Sequence, residues 1–432
     1  MPDAAALFDW AERTYAQYFP GPQANQVSPP YTYRHYPTTG NYVGVAGDDV
    51  YILGPVSGGA LQHVGKRSDF ACLVYPASCA ATAVAQVHSG GTVVYVRLRD
   101  GRLYAKGSGA NCQIGDGDAV DRPVPVSLGG NWTSITGRGT LVGLKDDGSV
   151  WAWGINVGDG SKSHRCAPKR VAEGFRQVAN GAHAEYSRGP TIGVKLDGSL
   201  WVWGPNILRN STEFEPHEFL TPTRLGNDAD WTQAVAGADH LLAVKRDGSL
   251  WAWGRNAYGQ LGNGKAVIVV AEVTPQRVLE HVVAIAAASY RSYAVTSSGA
   301  LYGWGWNALD GLVGDDTNID RHTPTLIGQG FVSVSASDER VVALKADGSA
   351  WSWGPNQQFH GVVGDGTLVP RAAPVQVATG MAQVTTSSQG AVALDTQGRL
   401  WGWGTYDFAR DARSGNFLYM THRVPTMFSY FP

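Results

Sequence analysis

Charge is scarce in this chain: Asp, Glu, Lys and Arg make up 16% of its 432 residues, the formal net charge is −2, and no block of like charges occurs. A surface that grips nucleic-acid phosphates needs clustered Lys and Arg, so binding to DNA or nucleosomes is not expected. Apolar runs of transmembrane length are also missing, which excludes a membrane-spanning helix. The start, Met1-Pro2-Asp3, has no basic segment followed by an apolar one and so does not read as a signal peptide. Motifs of chemistry are equally thin. There is no Gly-x-Ser-x-Gly elbow to expose a nucleophile and no His-Glu-x-x-His to hold zinc.

Glycine and tryptophan, by contrast, are abundant, at 55 and 15 residues, and they recur in phase. Trp-x-Trp-Gly ends at Gly154, Gly204, Gly254, Gly354 and Gly404, with weaker copies, Leu-Tyr-Ala-Lys-Gly and Leu-Tyr-Gly-Trp-Gly, ending at Gly107 and Gly305. The intervals are 47, 50, 50, 51, 49 and 50 residues. A period of that length is the mark of a repeat architecture. The unit opens on a bulky apolar residue and a Val or Ile, such as Trp132 and Ile135, and then passes through a Gly-containing turn, Asp-Gly-Ser in four copies as in Asp247-Gly248-Ser249, to the mark, as in Leu250-Trp251-Ala252-Trp253-Gly254. It closes on Pro-x-x-apolar, from Pro125–Leu128 in the first to Pro425–Phe428 in the seventh.

Asp-Gly between apolar runs is a hairpin turn, because Gly takes the positive φ that the turn needs. In Leu250-Trp251-Ala252-Trp253 the two Trp point to one face of the strand and Leu and Ala to the other. Both faces are apolar and both need cover. Units this short cannot bury a core alone, which argues against a string of sandwich domains. About four short strands per unit, packed between neighbours, make a blade. The expected fold is all-β: a seven-bladed β-propeller over residues 81–432, preceded by a small α+β module over residues 1–80.

In that module Asp3 caps a helix with Leu7, Trp10, Ala11, Tyr15 and Tyr18 at helical spacing, stopped by Pro20 and Pro22. An aromatic run, Tyr31–Tyr36, and a hairpin of residues 41–45 with 50–54 follow. A partial blade is the rival reading of residues 41–54. They lack an apolar opening strand and a clear Pro-x-x-apolar close, so a separate module is preferred.

The repeat closely resembles that of the regulator of chromosome condensation family, best seen in Leu250-Trp251-Ala252-Trp253-Gly254-Arg255-Asn256-Ala257-Tyr258-Gly259-Gln260-Leu261-Gly262-Asn263-Gly264. The resemblance implies a seven-bladed ring, usually closed by strands from both ends of the repeat region. The first eighty residues are similar to a segment found in exported proteobacterial proteins. Light sensing in this family uses Gly-Trp-Arg-His-Thr segments, and none occurs here. Nor is there an insertion comparable to the β-wedge of the family's nucleotide-exchange member.

Four cysteines remain. Cys72 and Cys79 could bridge locally, and Cys112 and Cys166 lie in variable loops of neighbouring repeats. Two disulfides in that pairing point to an oxidising compartment; four thiols are the alternative. Together with the N-terminal resemblance this favours a bacterial protein exported to the periplasm or beyond, its signal peptide trimmed, over a cytoplasmic one. The spacing fits no zinc site. Asp116-Gly117-Asp118 and Asp315-Asp316 are acidic, but they fall where the family carries turn residues, and no metal or other cofactor is expected.

Fold class does not fix function. The leading expectation is a non-enzymatic, monomeric scaffold or inhibitor that docks a protein partner on rim loops, with Tyr258, Trp306, Phe359, His360, Tyr406 and Phe408 as candidate anchors. His240, at the family's usual His position, joins the candidates, although a hydrogen bond between strand ends is its structural alternative. Arg138-Gly139, Ser289-Tyr290, Asp338-Glu339 and Gln389-Gly390 stand near that position in other repeats. The apolar stretch Lys265–Ala271 is expected to extend an edge strand or to face a partner. Two rivals are a glycan-binding propeller that stacks sugars on the same aromatics, and an enzyme with its site at the central mouth of the ring.

Overall fold

The computed structural model describes strands between residues 25 and 66 and the runs 84–89, 93–181, 189–205, 218–308, 311–356, 362–386, 390–410 and 417–427. The chain divides into two compact units, one of residues 1–79 with 410–417 and the other of 80–409 with 418–432. The first holds an antiparallel meander of Asn25–Ser28, Tyr31–Tyr36, Asn41–Ala46, Asp49–Leu53 and Gln62–Lys66. The expected hairpin is there, with Val45 opposite Val50. The expected helix after Asp3 lies outside the described residues.

The second unit is a seven-bladed β-propeller of four-stranded antiparallel sheets. Blades 1 to 7 span residues 84–127, 132–172, 175–225, 231–279, 282–328, 331–378 and 381–427. Within each, the strands follow one another in sequence order. The first strand of each blade lies innermost and packs on its counterparts in the neighbouring blades, around the ring and back from Met381–Thr386 to Val84–Ser89. Closure therefore differs from the shared-strand device that the resemblance implied: among the described residues no blade combines strands from the two ends, and blade 7 meets blade 1 face to face.

The apolar alternation explains the packing. In blade 4, Trp251 and Trp253 face blade 3, against Ile192, Val194 and Leu200. Leu250 and Ala252 point the other way and meet Val282, Ala294 and Trp304 of blade 5. The second Trp of the mark is the seal between blades. Trp153 Nε1 donates to the Gln113 carbonyl of the preceding blade at 2.8 Å, and Trp304 and Trp353 do the same to Gln260 at 3.0 Å and Leu312 at 2.8 Å. Gly314 sits under Trp353 at φ +93°, and a Cβ there would lie 2.8 Å from the indole nitrogen, so only glycine fits.

The recurring prolines also find a place. All seven fall in the outermost strand of their blade, where a missing N–H costs no ladder bond and discourages pairing with another chain. In blade 4 that strand is Val267–Leu279, so the apolar stretch after Lys265 extends an edge strand, with Val267 opposite Asn256.

Candidate functional site

The ring has two unlike faces. One carries the hairpin turns, and in four of the seven blades they repeat almost atom for atom. Ser149, Ser199, Ser249 and Ser349 each donate a backbone N–H to the Asp two residues earlier, at 2.8, 2.9, 2.8 and 2.8 Å. Each of their hydroxyls accepts a hydrogen bond from the following Trp Nε1 at 2.9 Å. Lys145, Lys195, Lys245 and Lys345 lie over the first Trp rings at 4.7, 4.1, 5.3 and 4.3 Å.

The other face carries the loops between first and second strands and the longer loops between third and fourth. Here the blades diverge in sequence on a common frame. The long loops are built on a buried Asn: Asn256, Asn307 and Asn356 each accept a backbone N–H, from Leu261, Val313 and Val363, at 3.0, 2.9 and 3.1 Å. Their Nδ2 atoms donate to loop carbonyls, as from Asn356 to Thr367 and Val369, both at 3.0 Å. An Asp–Arg pair closes several of the loops. Arg321 holds Asp315 at 2.5 Å and Arg371 holds Asp365 at 2.6 Å, and Arg122 binds both Asp116 and Asp118. Of the acidic residues read from sequence, Asp116, Asp118 and Asp315 are thus engaged by arginine. Burial alone would raise the carboxyl pKa of Asp315 and Asp365, but hydrogen bonds from Thr317 or Thr367 and the arginines outweigh it and hold both below the usual range.

On this frame, Tyr258 of blade 4 meets Tyr290 and Trp306 of blade 5, with ring centroids 5.0 and 5.9 Å away. The guanidinium of buried Arg291 lies 4.7 Å over Trp306 and donates to its carbonyl at 2.8 Å. Tyr258 keeps 36% of its surface exposed, and Trp306 is half-buried. These two candidates come together; Tyr406 lies in Leu400–Arg410 of blade 7, as does Phe408. Phe359, His360, Cys72 and Cys79 lie outside the described residues. Cys112, in a long loop of blade 1, and Cys166, in the outer strand of blade 2, form a disulfide.

His240 has no exposed surface. It stands between blades 4 and 5: Ser292 Oγ donates to the Gln260 carbonyl at 2.7 Å, so His240 Nε2 donates to that hydroxyl at 2.9 Å. The strand register puts Arg291, which faces Gly305 as His240 faces Gly254, at the corresponding place in blade 5. Arg138, Ser289 and Asp338 therefore sit two residues earlier, in the short loops at the channel mouth, rather than at the His position itself.

That mouth leads into a central cavity of about 280 Å³ bordered by all seven blades. Thr136, Asn180, Ser335 and Thr386 provide polar groups among alanines such as Ala179, Ala236 and Ala287. Arg138 of blade 2 reaches Asp338 of blade 6 across it, at 3.7 Å.

Residues 247–295 and 231–260 match two family descriptions of the regulator of chromosome condensation (RCC1) repeat. The stretch from residue 231 to 295 thus matches the RCC1 repeat. Among curated relatives, the human probable E3 ubiquitin-protein ligase HERC3 is 34% identical over 108 residues, 23% of this chain and 10% of that protein. The ultraviolet-B receptor UVR8 of Arabidopsis thaliana is 30% identical over 102 residues, 22% of this chain and 23% of that one. The matched segment thus spans about a tenth of the ligase and under a quarter of the receptor. Two solved structures share the fold. Human WBSCR16 has TM-score 0.62 at 19% identity, covering 76% of this chain and 94% of its own. Prp20p of Saccharomyces cerevisiae has TM-score 0.61 at 18% identity, covering 84% and 89%.

Sequence reading missed the loop-frame asparagines, although Trp-Gly-x-Asn recurs at Asn156, Asn206, Asn256, Asn307 and Asn356. It also missed Tyr290 and Arg291, whose part in the aromatic cluster depends on a neighbouring blade.

Proposed function

We propose that this protein is a non-enzymatic binding scaffold that docks a protein partner on the face carrying the long loops. The observation that carries the reading is the inequality of the two faces. One keeps the same turn, serine and lysine in four of the seven blades, while the other mounts different side chains on loops held rigid by buried asparagines. A rigid loop loses little entropy on binding. Aromatic side chains with one free surface, such as Tyr258, are common anchors. Prp20p, which shares the fold, was described with its binding properties to Gsp1p and histones, which supports protein binding as a use of this architecture. The disulfide between Cys112 and Cys166 supports an exported location, where thiols oxidise and stay oxidised.

The test is affinity capture from native extract with mass spectrometry, repeated with Tyr258→Ala/Trp306→Ala and with Glu280→Ala on the opposite face. The proposal expects one dominant protein, lost from the double variant and retained by Glu280→Ala. Equal retention by both variants would remove these aromatics from the interface.

A further inference from the structure

We infer that the central cavity is a binding site for a compact zwitterion of the α-amino-acid type, independent of any partner on the rim. The cavity, about 280 Å³, has room for a small molecule. Among the described residues that border it, the charged side chains at the mouth, Arg138 and Asp338, are of opposite sign, come from opposite sides of the ring, and are poorly matched to each other. Arg138 and Asp338 approach only to 3.7 Å, well beyond a short charge-assisted hydrogen bond.

The two partners are not equally free to move. Asp338 is fixed: one carboxylate oxygen accepts from Ser289 Oγ, and its backbone carbonyl accepts from Arg291 Nη1 at 3.0 Å. Arg138 is 27% exposed against 12% for Asp338 and hangs on a short loop between Gly137 and Gly139, so it can swing aside and admit a ligand. A simple anion drawn to Arg138 would be repelled by Asp338, and a simple cation would meet the reverse. A ligand carrying both charges a few ångströms apart replaces one long ion pair with two short ones: carboxylate to the Arg138 fork, ammonium to the free Asp338 oxygen. The alanines and hydroxyls below the mouth suit a small apolar or hydroxylated side chain.

His88, which also borders the cavity, is committed elsewhere, donating Nε2–H to the Gly137 carbonyl at 2.7 Å. Burial holds its pKa below the usual histidine value, so it adds no competing charge near neutrality.

Ligand-detected NMR and calorimetry on the full chain, with L-alanine, L-serine and L-leucine as probes and N-acetyl-alanine and alaninamide as single-charge controls, provide the test. Saturable binding of at least one amino acid is expected, with neither control binding. Arg138→Gln and Asp338→Asn should each weaken it at least tenfold while the melting temperature shows both variants folded. Saturation by N-acetyl-alanine or alaninamide to the same degree, binding indifferent to both substitutions, or no binding of any probe would overturn the proposal. Because the readout uses no protein partner, failure here leaves the rim scaffold standing, and failure of the rim scaffold leaves this site standing.

Discussion

At the residue scale the fold rests on a few side chains that sit between blades. Gly314 under Trp353 is one such place: adding a methyl group forces the indole to move and sets a non-glycine residue at positive φ. Gly314→Ala should therefore destabilise by about 1–3 kcal/mol, as overpacking does, measured by denaturant unfolding. Removing the indole itself, Trp353→Ala, should cost about 3–5 kcal/mol. The loop arginines give a pH signature. Asp315 and Asp365 have folded pKa values below their unfolded ones, so their contribution is fully present above the unfolded pKa, near 4, and is lost as pH falls below it. Unfolding midpoints should hold from pH 6 to about 4 and then drop, and Asp315→Asn/Asp365→Asn should flatten the drop.

At the element scale the innermost strands raise an accounting question, because no neighbouring strand pairs with their channel-side edge. Side chains answer it. Gln177 of blade 3 donates to the Ala234 carbonyl of blade 4 at 2.7 Å and accepts the Ala234 N–H at 2.9 Å. Gln233 repeats the donation to Val283 of blade 5 at 2.8 Å. Gln177→Ala leaves a buried peptide group without partners, so about 1–3 kcal/mol of destabilisation is expected, with faster hydrogen exchange at Ala234 than at Leu242. Much of this level was legible in the sequence. Asp-Gly fixed the hairpins and Trp-x-Trp fixed the strand faces; Pro-x-x-apolar marked where each unit ends, and the structure puts that proline in the outer strand. The sequence put Arg138-Gly139, Ser289-Tyr290, Asp338-Glu339 and Gln389-Gly390 only near the His position, because loops of variable sequence have no period to align them; strand register settles it, at Gly390 in blade 7 and one to two residues later than the named pairs in blades 2, 5 and 6.

At the scale of the whole molecule, the ring brings together residues that the sequence keeps far apart. Period counted the blades, yet it could not show how blade 7 meets blade 1, since consecutive and shared-strand closure spell the same repeats. Nor could it pair Arg138 with Asp338, which are neighbours only because the ring is round. The disulfide adds one long-range tie, and Cys112→Ser/Cys166→Ser should lower stability by about 2–4 kcal/mol, read from unfolding under non-reducing conditions. The unequal faces are the whole-molecule feature that bears on function. Hydrogen exchange of the captured complex against the free protein tests that claim most directly. The account predicts protection in the short and long loops around Tyr258, Tyr290 and Trp306, with the Asp-Gly-Ser turns unchanged; protection confined to those turns would contradict it.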